Sequence, residues 1–191
     1  MSLILASASP RRRELLSYIT EDFTVIPATV EEKPDLSLPR NETVIRIAQK
    51  KGLEVSQKHT DSIVIGADTM VFCGTAALGK PKNCDDAARM LRLLSGKTHQ
   101  VITAAVIALN GKAERSFAEI TDVEFYALSE KEIDLYVQSG EPMDKAGAYG
   151  IQGRGSLLVK GIRGDYYNVM GLPVSRLCRE LQNLDTALQT E

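Results

Sequence analysis

Ser7-Ala8-Ser9-Pro10-Arg11-Arg12-Arg13 sets two hydroxyls and three guanidinium groups within seven residues. Ser9 followed by Pro10 reads as the N-cap and first residue of a helix, because proline has no N–H to lose there. Arg12 then stands at the third helical position, where a capping box would carry Glu or Gln. A helix N-terminus already carries partial positive charge, so arginines there are unfavourable unless an anion neutralises them. Free N–H groups, hydroxyls and guanidinium forks together suit phosphate oxygens. A solvated basic turn on a surface helix is the plain alternative for this stretch.

Asp68 is the second group of interest. It follows Ser62-Ile63-Val64-Ile65-Gly66, which reads as a buried strand ending in Ala67-Asp68-Thr69. A carboxylate at the carboxyl end of a buried strand lies where open α/β sheets place their ligands. Near phosphates it could hold Mg²⁺ or Mn²⁺, or take a proton from an attacking water. The competing reading is a turn aspartate bonded to its own backbone. Glu31 and Glu32, in a Pro-rich loop from Pro27 to Pro39, could add metal ligands or simply be solvated. Lys51 and Lys80 could reach the same anion, although a lone lysine is more often on a plain surface. The stretch from Glu141 to Gly153 is dense in small residues, so a flat ligand can approach its backbone. Gln152 could read a base edge there with its amide donor and acceptor, or satisfy local backbone groups.

Several familiar motifs are absent. Gly74 to Lys80 has the spacing of a Walker A loop, but Pro81 stands where Ser or Thr must hold magnesium. Gly96-Lys97-Thr98 has the right ending, but Leu91 occupies the place of the first glycine. Gly153-Arg154-Gly155 lacks the third glycine of a dinucleotide fingerprint, since Leu158 stands there. His59 and His99 have no neighbourhood that argues for a hydrolytic triad.

The elements that must position these groups follow from the pattern. Leu3 to Ala6 and Phe23 to Ile26 read as strands flanking the first helix, and Asn41 is expected to cap a helix running to about Ser56. After the Ser62–Gly66 strand comes a separate apolar stretch, Met70 to Phe72. Asn83 caps a helix to Leu94, with Asp85 and Asp86 in its first turn and Gly96 stopping it. Val101–Leu109 and Ala113–Phe125 read as strands joined by Asn110-Gly111, a strong hairpin signal. Ser129-x-x-Glu132 is a capping box opening a helix that Gly140 closes. Glu141 to Gly155 is expected to be loop. Leu157–Ile162 and Tyr166–Met170 are expected to be strands turning at Arg163-Gly164, and Pro173 starts the last helix. Mixed strands and helices make the class α/β, with an antiparallel portion around the hairpin.

The chain has 191 residues, 23 basic and 25 acidic, so its net charge of −2 argues against a broadly basic nucleic-acid face. Three widely spaced cysteines, Cys73, Cys84 and Cys178, suit reduced thiols in a cytoplasmic protein. No apolar run approaches bilayer length, the N-terminus lacks the basic start of a signal peptide, and no linker divides the chain.

In order, Ser7-x-Ser9-Pro10-Arg11-Arg12-x-Glu14-Leu15-Leu16, Gly66-Ala67-Asp68-Thr69, Gly79-Lys80-Pro81, Leu94-Ser95-Gly96-Lys97-Thr98-His99, Glu141-Pro142-x-Asp144-Lys145-Ala146-Gly147-Ala148-Tyr149-Gly150-Ile151-Gln152-Gly153 and Gly171-Leu172-Pro173 form a set. The set resembles the Maf family of nucleoside triphosphate pyrophosphatases, in its dTTP/UTP branch. The resemblance implies a single domain over 1–191, an α/β fold with a two-lobed mixed sheet, flanking helices and a central nucleotide-binding cleft. It implies hydrolysis of dTTP and UTP to the monophosphate and pyrophosphate, for housecleaning of nucleotide pools and with a link to arrest of cell division. A non-catalytic nucleotide sensor is the alternative. By the same resemblance, Asp68 is the proton acceptor, and Arg11, Thr69 and Gln152 bear on base choice. Ser7, Arg12, Glu32, Lys51 and Lys80 line the phosphate and metal site. The clustering of opposite charges further suggests Asp68 and Glu32 as ligands of a divalent ion, Mg²⁺ or Mn²⁺, bridging to the triphosphate, with Asp68 as base or as metal ligand left open. The expected partner is a nucleoside triphosphate, with no nucleic-acid polymer and no membrane. A homodimer is left open. Gly52 departs from the pattern, where alanine or serine is expected.

Overall fold

Leu3 to Ala6 holds four apolar side chains in a row, too few for a helix, and β1 (Ser2–Leu5) forms there. In this computed structural model, which describes residues 1–31 and 33–188, β1 is flanked on both sides by parallel strands. Leu5 stands opposite Val25 of β2 (Thr24–Val25) and opposite Ile65 of β3 (Ser62–Cys73). With β4 (Ala76–Leu78), β5 (Thr98–Leu109), β6 (Lys112–Phe125) and β7 (Val159–Arg163), these strands form one mixed sheet. Its order is β2-β1-β3-β5-β6-β7, with β4 paired to β3. The helices are α1 (Pro10–Ser17), α2 (Arg40–Ser56), α3 (Cys84–Leu94), α4 (Glu130–Gln138), α5 (Tyr166–Met170) and α6 (Val174–Leu188). The class is α/β, as the mixture of patterns implies. Among the described residues no helix is long and apolar enough to cross a membrane.

The chain divides into two compact units. The first comprises Met1–Asp68, Thr103–Glu119 and Gly171–Glu191. In it, α2 buries Val44, Ile47, Ala48, Lys51 and Val55, a stripe at helical spacing. Val55 packs with Ile4, Ala6, Val64 and Ala108. Burying a Val, Leu or Ile side chain of this kind contributes about 1.5–3 kcal/mol. Gly66 is where the helix meets the strand. A Cβ there would lie 2.6 Å from the Ala48 carbonyl oxygen and 2.6 Å from the Gly52 nitrogen, so only hydrogen fits.

The second unit comprises Thr69–Ile102 and Ile120–Met170. Its core joins Val71 of β3, Leu91 and Leu94 of α3, Phe125 of β6, Ile133 and Tyr136 of α4, and Tyr149. The caps are as the local pattern indicates. Asn83 accepts the Asp86 N–H at 2.8 Å, and Ser129 with Glu132 forms the reciprocal capping box. The β5–β6 turn, which lies in the first unit, has φ of 49° at Asn110 and 72° at Gly111, the twisted pair a two-residue hairpin needs.

Four expectations are corrected. β3 runs unbroken from Ser62 to Cys73, where two apolar stretches with an interruption had been expected, so Asp68 lies within a strand. The strand changes partner along its length: β1 pairs with residues up to Ile65 and β4 from Val71 onward. Asn41 does not cap α2, because Pro39 holds that position and no side chain caps it. Tyr166–Met170 is helix, not strand, because the Asp165 carboxylate accepts the Tyr167 N–H at 2.8 Å and caps a turn there. Finally, the stretch from Glu141 contains short 3₁₀ turns at Glu141–Asp144, Ala146–Ala148 and Gly153–Leu158, the last displacing the start of β7 to Val159.

Candidate active site

β1 ends its pairing where the Ala6 N–H donates to the Ile65 carbonyl at 2.8 Å, and β3 continues past it. The chain leaving β1 therefore turns beside the stretch of β3 that carries Ala67 and Asp68. Ser7, 8% exposed, accepts the Ser9 N–H at 3.3 Å. Ser9 accepts the Arg12 N–H at 3.4 Å and caps α1, with Pro10 first in the helix. No acid occupies the first turn of α1.

Arg12 folds back onto this turn. Its Nε donates to the Gly171 carbonyl at 2.8 Å, and its Nη1 donates to the Ala67 carbonyl at 2.9 Å and to the Ser7 hydroxyl at 3.2 Å. One guanidinium thereby ties the start of α1, the peptide before Asp68 and the approach to α6. Lysine could not span three acceptors in one plane.

Asp68 and Lys51 form the other half. Lys51 Nζ lies 2.6 Å from Asp68 Oδ1, and the two residues are 7% and 6% exposed. Lys51 occupies a core position in the buried stripe of α2, and it faces β3 because Gly66 and Gly52 let the helix approach. Gly52 is therefore consistent with an uninterrupted α2. Its own Cβ would meet Val106 Cγ1 at 2.5 Å. Charges this buried require a partner, and each supplies the other's.

Arg11 is half-buried on α1 and Glu31 is exposed, while Glu32 lies outside the described residues. Ser7, Arg12, Lys51 and Asp68 are thus brought together in the first unit by direct bonds or through the Ala67–Asp68 peptide. Thr69, half-buried, is the next residue of β3. Within the second unit, Lys80 is exposed beside buried Pro81, and Gln152 is exposed next to buried Ile151. The loop holding Gln152 is attached to the Lys80 segment, since the Gly147 N–H donates to the Gly79 carbonyl at 3.0 Å.

The sequence reading missed two sets of residues. One is Glu141, whose carboxylate accepts the Arg154 and Gly155 N–H groups at 3.1 and 3.2 Å. The other is His99, 2% exposed, which shares a 2.7 Å hydrogen bond with the Tyr149 hydroxyl. His99, Tyr149 and Phe125 pack edge to face, with centroids 4.7 to 5.3 Å apart. Burial lowers the His99 pKa to about 4 and raises that of Tyr149. His99 stands between Thr98 and Gln100 at the polar start of β5, so its burial carried no clear local signal.

Among the described residues no three His, Cys, Asp or Glu side chains cluster as a metal site. Asp68 offers a single carboxylate. Mg²⁺ commonly binds through one or two carboxylates and completes its shell with substrate phosphates and water. The donor set therefore fits an ion that arrives with a polyphosphate.

A dTTP/UTP pyrophosphatase of Bacillus cereus is 49% identical to this chain over 183 residues, covering 96% of this chain and 95% of that protein. One from Bacillus velezensis is 49% identical over 183 residues, covering 96% of each. A solved structure titled nucleoside-triphosphatase / dITP/XTP pyrophosphatase, from Mycobacterium abscessus, covers 96% of this chain and 97% of its own at 14% identity and a TM-score of 0.45. Residues 2–184 match the family described as Maf-like protein, and the chain belongs to that family.

Proposed function

We propose that this protein hydrolyses dTTP and UTP, the nucleotides in its relatives' names, to the monophosphate and pyrophosphate. The observation that carries the reading is the buried Lys51–Asp68 pair beside the Arg12-braced turn. A buried ion pair contributes little net stability, because desolvation offsets its attraction. A carboxylate held in place by an ammonium, next to hydroxyl and guanidinium groups, is suited to reaction at a phosphate.

Water attacks the α-phosphorus, a P–O bond forms there, and the bond to the bridging oxygen breaks. Pyrophosphate leaves with the electron pair, and Asp68 accepts the proton of the attacking water. Lys51 orients the Asp68 carboxylate, and Arg12 fixes the peptide that bears it. Ser7, Arg12, Lys51, Lys80 and Glu32 serve the triphosphate. Arg11, Thr69 and Gln152 bear on base choice. A divalent ion, Mg²⁺ or Mn²⁺, held by Asp68, Glu32 and phosphate oxygens, would supply charge neutralisation for the leaving group. The role proposed is removal of nucleotides from a cytoplasmic pool, in keeping with three free cysteines.

A nucleotide panel with added Mg²⁺ or Mn²⁺ tests this. Pyrophosphate from dTTP and UTP, without orthophosphate, is expected. Orthophosphate would mean attack at the terminal phosphate, and tight binding with no release would mean a sensor.

A further inference from the structure

We propose that Glu141, Tyr136, Tyr149 and His99 brace the loop carrying Gln152, and that this brace sets the preference for one base over another. The proposal rests on the reading of Gln152 as a base-contacting residue.

Gln152 is exposed, and its side-chain amide makes no hydrogen bond to another described residue. Only its backbone can aim it. That backbone is tied on both flanks. Ahead of it, the Tyr149 ring is buried against His99 and Phe125, and the Gly150 N–H donates to the Tyr136 hydroxyl at 3.1 Å. Behind it, Glu141 Oε2 accepts the Arg154 N–H and Oε1 accepts the Gly155 N–H. The Tyr136 hydroxyl closes the ring, accepting from Gly150 and donating to Glu141 Oε1 at 3.1 Å.

The two flanks also touch directly. A Cβ on Gly155 would lie 2.1 Å from the Gly150 carbonyl oxygen and 2.7 Å from the Tyr136 hydroxyl. Gln152 therefore sits at the tip of a closed loop whose ends are in contact. A side chain held this way meets a base edge without first being ordered, and that ordering is a large part of what weakens binding by flexible loops. Glu141 is matched to its three donors: glutamine would offer one acceptor oxygen and turn an NH₂ toward an N–H. These residues are positioning residues.

The test compares Glu141→Gln and Tyr149→Phe with Gln152→Ala. The readout is the kcat/KM ratio of dTTP to a cytosine nucleotide, with kcat, KM and Tm measured separately. Glu141→Gln is expected to lower the ratio about tenfold, as loss of roughly one hydrogen bond's discrimination implies. The change is expected in KM for dTTP, with kcat kept within about threefold. Tyr149→Phe, which keeps the ring and loses one oxygen, is expected to act in the same direction. A merely structural role would lower both substrates alike and leave the ratio unmoved. If Gln152→Ala lowers the ratio and neither brace variant does, the brace is refuted and the Gln152 reading stands. If Gln152→Ala itself leaves the ratio unchanged, that reading fails and takes the brace with it. Should Glu141→Gln not fold, an unchanged ratio in Tyr149→Phe is enough to overturn the proposal.

Discussion

Replacing Gly66 with alanine would set a methyl carbon 2.6 Å from the Ala48 carbonyl oxygen, 2.6 Å from the Gly52 nitrogen and 2.8 Å from the Gly52 Cα. All three are backbone atoms of α2, so no side chain can swing away to make room. Restoring ordinary contact near ~3.5 Å requires the helix to retreat by about an ångström. Lys51 is the neighbour of Gly52, and the same retreat lengthens its 2.6 Å contact with Asp68. Overpacking of this kind costs about 1–3 kcal/mol, a Tm loss of roughly 2–12 °C in a chain of this size. Misplacement by ~1 Å near the chemistry costs about a hundredfold in rate. Pyrophosphate release from saturating dTTP and a thermal melt, run on the same preparation, measure the two effects. A Gly66→Ala protein with near wild-type kcat would show that the approach of α2 to β3 does not position Lys51.

Three further perturbations probe other contacts. Arg12→Lys keeps the charge but cannot reach the Gly171 and Ala67 carbonyls and Ser7 together, so kcat/KM for dTTP should fall more than about tenfold; an unchanged value would mean that charge alone matters. His99 is held neutral by burial, its pKa lowered to about 4, while the unfolded chain takes up that proton below about 6.5. Stability should therefore be full above pH 6.5 and fall as pH drops toward 4, by about 2 kcal/mol at pH 5 in urea titrations; His99→Gln should flatten that slope, and an unchanged slope would contradict the assignment. Glu54 accepts both the N–H and the hydroxyl of Thr29, at 2.7 and 2.6 Å, and these bonds with Lys58 lower its pKa to about 2. Glu54→Gln should speed proteolytic nicking between Pro27 and Pro39, and equal nicking rates would show that this contact does not anchor the loop.

What could be read from the sequence was mostly local. Asn83 before Cys84, Ser129 three residues ahead of Glu132, and Asn110-Gly111 each signal through neighbours in the chain, and each forms the expected cap or turn. Lys51 lies four residues after Ile47 and three after Ala48, a spacing that puts it on the buried face of α2, yet a lone lysine reads first as a surface residue and its burial was not legible from its type. Its partner was no more legible. The distance to Asp68 depends on two glycines meeting across a helix–strand contact, 14 positions apart in sequence. The placement of Asp68 was misread for a similar reason: a strand that exchanges β1 for β4 as partner carries no mark of the exchange in its own residues. Asp165 did hold a local signal, as an N-cap, but the aromatic and β-branched residues after it favoured a strand. The support around Gln152 comes from Glu141 and His99, 11 and 53 positions away, and a composition rich in glycine gives no hint of it.

The most direct measurement is the turnover of Asp68→Asn, assayed as pyrophosphate released from saturating dTTP, with a thermal melt to establish that the variant is folded. Losing a proton acceptor should reduce kcat by about a hundredfold or more. A folded variant that keeps kcat within about twofold of the natural protein would contradict the assignment of the chemistry to this carboxylate.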